Sequence, residues 1–151
     1  MTPNQDLDIT TSNQTHTTLS FDVSSFVQSI LTLKSITQGT FDINFIDNHT
    51  IHQMNKTHLD HDYTTDILTF NLENTGMPII GDIYISLEQA AINAPDYHHT
   101  FTEEVQLLII HGILHLIGYD DQSPETYEVM HTEQNRLLQL IHKKAREGKE
   151  L

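Results

Sequence analysis

Apolar and polar positions alternate through the first two thirds of the chain in a way that predicts short strands separated by short helices. Thr40-Phe41-Asp42-Ile43-Asn44-Phe45-Ile46 has a period of two, as a half-buried strand does, and Gly39 breaks the chain just before it. Further strands are expected over residues 65–70 and 79–86, and a short one over about 17–21. A helix capped by Asp22 or Ser24 carries Val27, Ile30 and Leu31 on one face and runs to about Lys34. A second spans about residues 50–58, with Ile51 and Met54 inward, and a third spans 87–94 and stops at Pro95. Asp47-Asn48 and the Gly76 to Pro78 stretch read as turns, and residues 59–63 as a polar loop. Residues 1–16 are rich in Thr, Asn, Gln and Asp and read as a flexible lead-in to a single domain over 17–151.

The last third is different in kind. From Glu103 to Asp121 the chain reads EEVQLLIIHGILHLIGYDD, apolar on nearly every face of a helix, as befits one running through the middle of a domain. Thr102, with Glu103 and Glu104 behind it, is the expected cap, and Gly118 the left-handed stop. A final helix begins at Ser123-Pro124 and carries Tyr127, Met130, Leu137, Leu138 and Ile141 on its apolar side. Strands first and long helices last predict an α+β fold, a small mixed β-sheet packed against helices with the apolar helix buried at its centre.

His111 and His115 stand four apart in that helix, hence on one face, one turn above the other. Gly112 between them leaves room for a close neighbour. Two adjacent buried imidazoles must find hydrogen bonds and must not both be charged. Bonds to backbone or buried water would satisfy them, and so would a divalent cation, for which imidazole is the commonest protein ligand. Asp120 and Asp121, past the glycine, can return to the same point. The local pattern is therefore a metal site of two histidines and one carboxylate with an open position.

Composition narrows the chemistry. The chain lacks cysteine, so any metal is held by nitrogen and oxygen. No apolar run approaches the roughly 18 residues of a membrane span, and the N-terminus lacks the pattern of a signal peptide, so a cytoplasmic protein is expected. Net charge is −14, against the basic footprint usual for nucleic-acid binders. Of seven Lys and Arg, Arg136, Lys143, Lys144, Arg146 and Lys149 lie near the C-terminus. They suit either phosphates or, as the preferred reading, the negative end of a terminal helix. A zinc protease of the H-E-x-x-H type is disfavoured because Gly112 occupies the position of its general base.

The run from His111 to Asp121, H-G-I-L-H-L-I-G-Y-D-D, closely resembles the signature of the YbeY family, metal-dependent endoribonucleases that mature ribosomal RNA. The family pattern is H-G-x-L-H-L-x-G-Y-D-H, whose three histidines hold a zinc-like metal; here Asp121 stands in place of the third. The resemblance extends over roughly residues 41–133. Residues 64–70 resemble the family's P-T-D-V-L-S-F strand with Thr64 for proline, and residues 81–86 its G-D-I-x-I-S strand. Asn55 falls on the asparagine of its L-N-x-x-Y-R segment, but the tyrosine falls on His58 and the arginine on Leu59, so phosphate charge must be met by the metal, His58, His61 or Lys56.

The resemblance implies the same α+β architecture. It also implies hydrolysis of an RNA phosphodiester by a metal-activated water, with His111, His115 and Asp121 as ligands and catalytic centre, and Asp120 as the alternative carboxylate. Zinc is the first expectation for the metal; the added carboxylate opens the site to iron, manganese, nickel or cobalt. Asp66 and Asp82 are expected to support the cleft or cap turns. Ribosomal RNA is the expected partner, with a small-subunit ribosomal protein or an assembly GTPase, and neither membrane nor DNA. Against this stand a hydrolase of small substrates and a ribosome-assembly factor that binds RNA or a ribosomal protein and cuts little or nothing, a reading that Asp121, Leu59 and the acidic charge all feed.

Overall fold

The computed structural model describes residues 7–72 and 78–149. Among these residues four strands, β1 (Leu7–Asn13), β2 (Gly39–Ile46), β3 (Ile67–Asn71) and β4 (Ile80–Ser86), form one mixed sheet in the order β1-β2-β4-β3. β1, β2 and β4 are parallel, and β3 pairs antiparallel with β4. Five helices accompany them: α1 (Val23–Leu33), α2 (Asn48–Leu59), α3 (Leu87–Asp96), α4 (Phe101–Leu116) and α5 (Pro124–Lys149). The α+β arrangement with helices on a small mixed sheet is the one expected. The turn at Gly76 lies outside the described residues.

Alternation along the strands sorts the sheet into two faces. Phe41, Ile43, Phe45, Ile83 and Ile85 point to the main core, which they share with α1, α4 and α5. On the other face, Ile46 and Leu68 form a smaller cluster with Ile51 of α2. The main core closes around α4, where Val105, Ile109, Ile110, Ile113 and Leu114 have no exposed surface. Gly112 explains how close the helix comes to the sheet. A β-carbon there would lie 3.0 Å from Ile83 Cδ1 and 3.1 Å from Ile67 Cδ1, so sheet side chains fill the room it leaves.

Three boundaries differ from expectation. The N-terminal strand is β1, inside the stretch read as a lead-in, whereas residues 17–21 are irregular. Its alternation is weak because its solvent face is polar, with Thr10 donating to Asp42 at 2.7 Å and Ser12 to Asn44 at 2.7 Å across the pair. Residues 1–6 of the lead-in lie outside the described residues. The cap of α4 is Thr100, not Thr102, because Thr100 and Glu103 form a reciprocal capping box at 3.1 and 2.8 Å. Pro95 lies inside the last turn of α3, ahead of the cap Tyr97.

One ion-pair network joins α1, α5 and the loop after α4. Lys34 at the end of α1 donates to Glu133 at 2.6 Å and to the Tyr119 hydroxyl at 2.7 Å. Arg136 forks onto both oxygens of Glu133 at 2.6 and 2.7 Å. Hydrogen bonds from Arg136 and Lys34 hold the Glu133 carboxyl at about 2, below its ordinary 4.5. Because the folded value is depressed, the stabilisation is complete above the ordinary value and lost as pH falls toward 2. Glu133→Gln should therefore lower unfolding free energy by about 2–4 kcal/mol near neutrality, measured by denaturant titration. The gap to the parent should shrink between pH 4.5 and 2; a gap independent of pH would show that the charge contributes nothing.

Candidate metal centre

The periodicity of α4 and the stop behind it place the donors. His111 and His115 project from one face of the helix, and their Nε2 atoms lie 3.1 Å apart. The helix ends at its cap Ile117, and Gly118, with φ of 113°, turns the chain through the left-handed region. The loop then returns Asp121, whose Oδ2 lies 3.8 Å from His111 Nε2 and 3.7 Å from His115 Nε2. One donor atom from each residue falls within 4.8 Å of the other two.

The donors fit a small divalent ion. Bonds of about 2.0–2.1 Å in a tetrahedral site set its donors about 3.3 Å apart, close to the spacing seen here. The protonation pattern fits as well. His111 Nδ1 lies 3.0 Å from Gln134 Oε1, so this nitrogen carries the proton and Nε2 turns a lone pair toward His115 and Asp121. Burial pushes the His111 pKa below its ordinary 6.5, which keeps the imidazole neutral and competent as a ligand at neutral pH.

Of the two adjacent carboxylates, only Asp121 joins the histidines. Asp120 is exposed and turned into its own loop, where it accepts from the Gln122 N–H at 3.1 Å. Hydrogen bonds from Thr126 and Gln122 hold its pKa below the ordinary value.

The remaining candidates separate. Asp66, just before β3, borders the cleft beside the site, and Asn93 donates to it at 3.2 Å. Burial raises its pKa, opposed by neighbours that include His111. Asp82 alternates with Gly81 and Ile83 and so lies on the far face of the sheet, paired in register with Asp42, away from the cleft. His58 packs edge-on to Phe70, and His61 stacks on Tyr63 at 5.3 Å; neither they nor Lys56 line the cleft. Asn55 is buried and donates to the Tyr63 carbonyl at 3.0 Å, a loop-holding contact. Of the basic C-terminal residues, Arg136 is occupied by Glu133, and Lys143 approaches Glu147 at 4.0 Å in the last turns of α5.

Sequence reasoning missed Gln134 and the cleft. Gln134 interrupts the buried stripe Met130, Leu137, Leu138, Ile141 at a core position, and a polar residue there signals a buried partner. The cleft, of about 410 Å³, runs from His111 past Asp66, with Tyr97 and His99 from the α3–α4 turn and Tyr127 and His131 from α5 on its walls.

The family described as Endoribonuclease YbeY matches residues 6–142. The chain belongs to the YbeY family. A relative from Parabacteroides distasonis, named Endoribonuclease YbeY, is 36% identical over 124 residues, 82% of this chain and 87% of that one. Relatives of the same name from Lysinibacillus sphaericus and Bacillus subtilis are each 37% identical, covering 78% and 67% of this chain and 82% and 71% of their own. The solution structure of the Thermotoga maritima protein TM1509 superposes with a TM-score of 0.57 at 23% identity over 91% of this chain and 93% of its own, a likeness of fold.

The Gln134–His111 contact carries a prediction for this family member. Gln134→Leu should weaken zinc binding about 10- to 100-fold by freeing the His111 tautomer, measured by competition with a chelating dye. Unchanged affinity would show that Gln134 does not orient the imidazole.

Proposed function

We propose that this chain is a metal-dependent endoribonuclease acting on ribosomal RNA, with His111, His115 and Asp121 as the metal ligands. The observation that carries the reading is the convergence of two imidazoles and one carboxylate, with His111 also lining the cleft, in a chain of the YbeY family.

A divalent cation held by these residues supplies Lewis acidity, acidifying water toward neutrality and offsetting charge on a phosphoryl oxygen. The chain's own residues do the rest. Gln134 keeps the His111 proton on Nδ1, and burial keeps the ring neutral. Asp121, partly open to solvent, closes the third corner at 3.8 and 3.7 Å from the two imidazoles. Asp66, its carboxyl raised by burial, borders that cleft without joining the three donors. Among the described residues none that lines the cleft is Lys or Arg, so the chain offers phosphate no fixed cation there. Zinc suits two imidazoles, and the added oxygen donor suits iron, manganese, nickel or cobalt as well. A cytoplasmic setting with a small-subunit ribosomal protein or an assembly GTPase as partner goes with this reading.

The test is cleavage of a single-stranded ribosomal RNA fragment beside elemental analysis of the same preparation. One metal per chain, activity removed by a chelator and restored by metal, and a loss of at least about a hundredfold in Asp121→Ala are expected. Asp120→Ala should stay near the parent. A protein that keeps its metal, binds the fragment and leaves it intact would instead be a ribosome-assembly factor. One that takes up no zinc, manganese or nickel would end the hydrolytic reading.

A further inference from the structure

The cleft beside the donor cluster differs from the rest of the acidic surface. Tyr97 and Tyr127 line it, yet they are 63% and 52% exposed. Each is paired with a histidine that also lines it. Tyr127 and His131 stack with their rings 5.6 Å apart and inclined by only 10°, and the rings of Tyr97 and His99 lie 6.2 Å apart. Because Tyr127 and His131 are four apart on α5, the pair forms a step on one helix face. Large aromatic rings left in water beside a catalytic-type cluster, when Phe41, Phe45 and Phe26 are all taken into the core, are surfaces without a structural task.

The charge of the cleft decides what the rings are for. Among the described residues its carboxylates are Asp66 and Glu104, and no Lys or Arg lines it. A phosphate placed there would meet two acids and no fixed cation. An uncharged nucleobase would meet neither penalty, and base–aromatic stacking tolerates any sequence because every base has a flat π-face. The volume, about 410 Å³, is that of a small-molecule site. His111 belongs both to the donor cluster and to the cleft wall, so a base seated in the cleft would leave its neighbouring phosphodiester at the cluster.

We propose that this cleft is a nucleobase subsite for single-stranded RNA, with the exposed Tyr127–His131 step as its stacking platform and Tyr97 as a second wall. The inference rests on the endoribonuclease reading and deepens it. The strand is gripped through an unpaired base rather than through phosphate contacts, which reconciles an RNA substrate with a net charge of −14 and with Leu59 at the position where the family places arginine. A base locked in a duplex cannot enter, so selectivity for single strands follows from the same feature.

Fluorescence anisotropy with a fluorescein-labelled ten-nucleotide 2′-O-methyl RNA and the metal-loaded protein tests it. Tyr127→Ala should weaken binding about five- to hundredfold, the range for loss of one base–aromatic stack. Tyr127→Phe, which keeps the ring, should bind like the parent. The same strand with abasic residues should bind the parent as weakly as the intact strand binds Tyr127→Ala, and affinity should fall only gently with salt, since few counterions are released. Equal binding of abasic and intact strands, or unchanged affinity in both Tyr127→Ala and Tyr97→Ala, would overturn the subsite. If the same preparation still cuts RNA with metal, the endoribonuclease reading survives that failure; a parent that neither binds nor cuts RNA removes both.

Discussion

A helix that is apolar on nearly every face has only one stable place, inside the molecule, and α4 takes it. Its burial against β3 and β4 on one side and α5 on another organises the core. Gly112 lets it settle directly onto Ile67 and Ile83. That depth has a chemical consequence. His111 and His115 are only partly open to water, and burial disfavours charge on His111. The same packing that stabilises the domain thereby holds two imidazoles one turn apart with their Nε2 atoms 3.1 Å from each other.

The rest of the site depends on what surrounds that helix. On one side, Gln134 of α5 takes the His111 Nδ1 proton into a hydrogen bond and so decides which nitrogen faces outward. On the other, the loop carrying Asp121 is tethered by Tyr119, whose hydroxyl is bound by Lys34, itself paired with Glu133 one residue before Gln134. Adjacent residues of α5 thus fix both the histidine tautomer and the loop that brings the carboxylate. A third residue of that helix, Tyr127, borders the cleft. α5 is in this sense the frame on which the site is assembled, although the candidate ligands themselves come from α4 and the loop after it.

The sequence made the central features legible because they are local. Strand alternation at residues 40–46, the capped helix after Asp22, the apolar helix and the four-residue histidine spacing all follow from short-range rules, as does the glycine stop. Less legible was whatever depended on partners distant in sequence. β1 is polar on one side, and its pairing with β2 shows only when Asp42 and Asn44 stand opposite Thr10 and Ser12. Asp120 and Asp121 look equivalent in sequence, and only the turn after Gly118 sends one inward and the other to Gln122. Gln134, His99 and the two tyrosines reach the site through tertiary packing, and no spacing rule connects them to His111. Asp82 illustrates the opposite error: proximity in a familiar strand pattern does not say which face of the sheet a side chain takes.

The proposed site joins two imidazoles of α4 and the carboxylate of Asp121 around one metal ion. X-ray absorption at the zinc edge of the zinc-loaded protein addresses it directly. The account predicts outer-shell scattering from two imidazoles and a first shell of nitrogen and oxygen at about 2.0–2.1 Å. A spectrum with no imidazole scattering, only oxygen neighbours as for an ion loosely held by surface carboxylates, would contradict it.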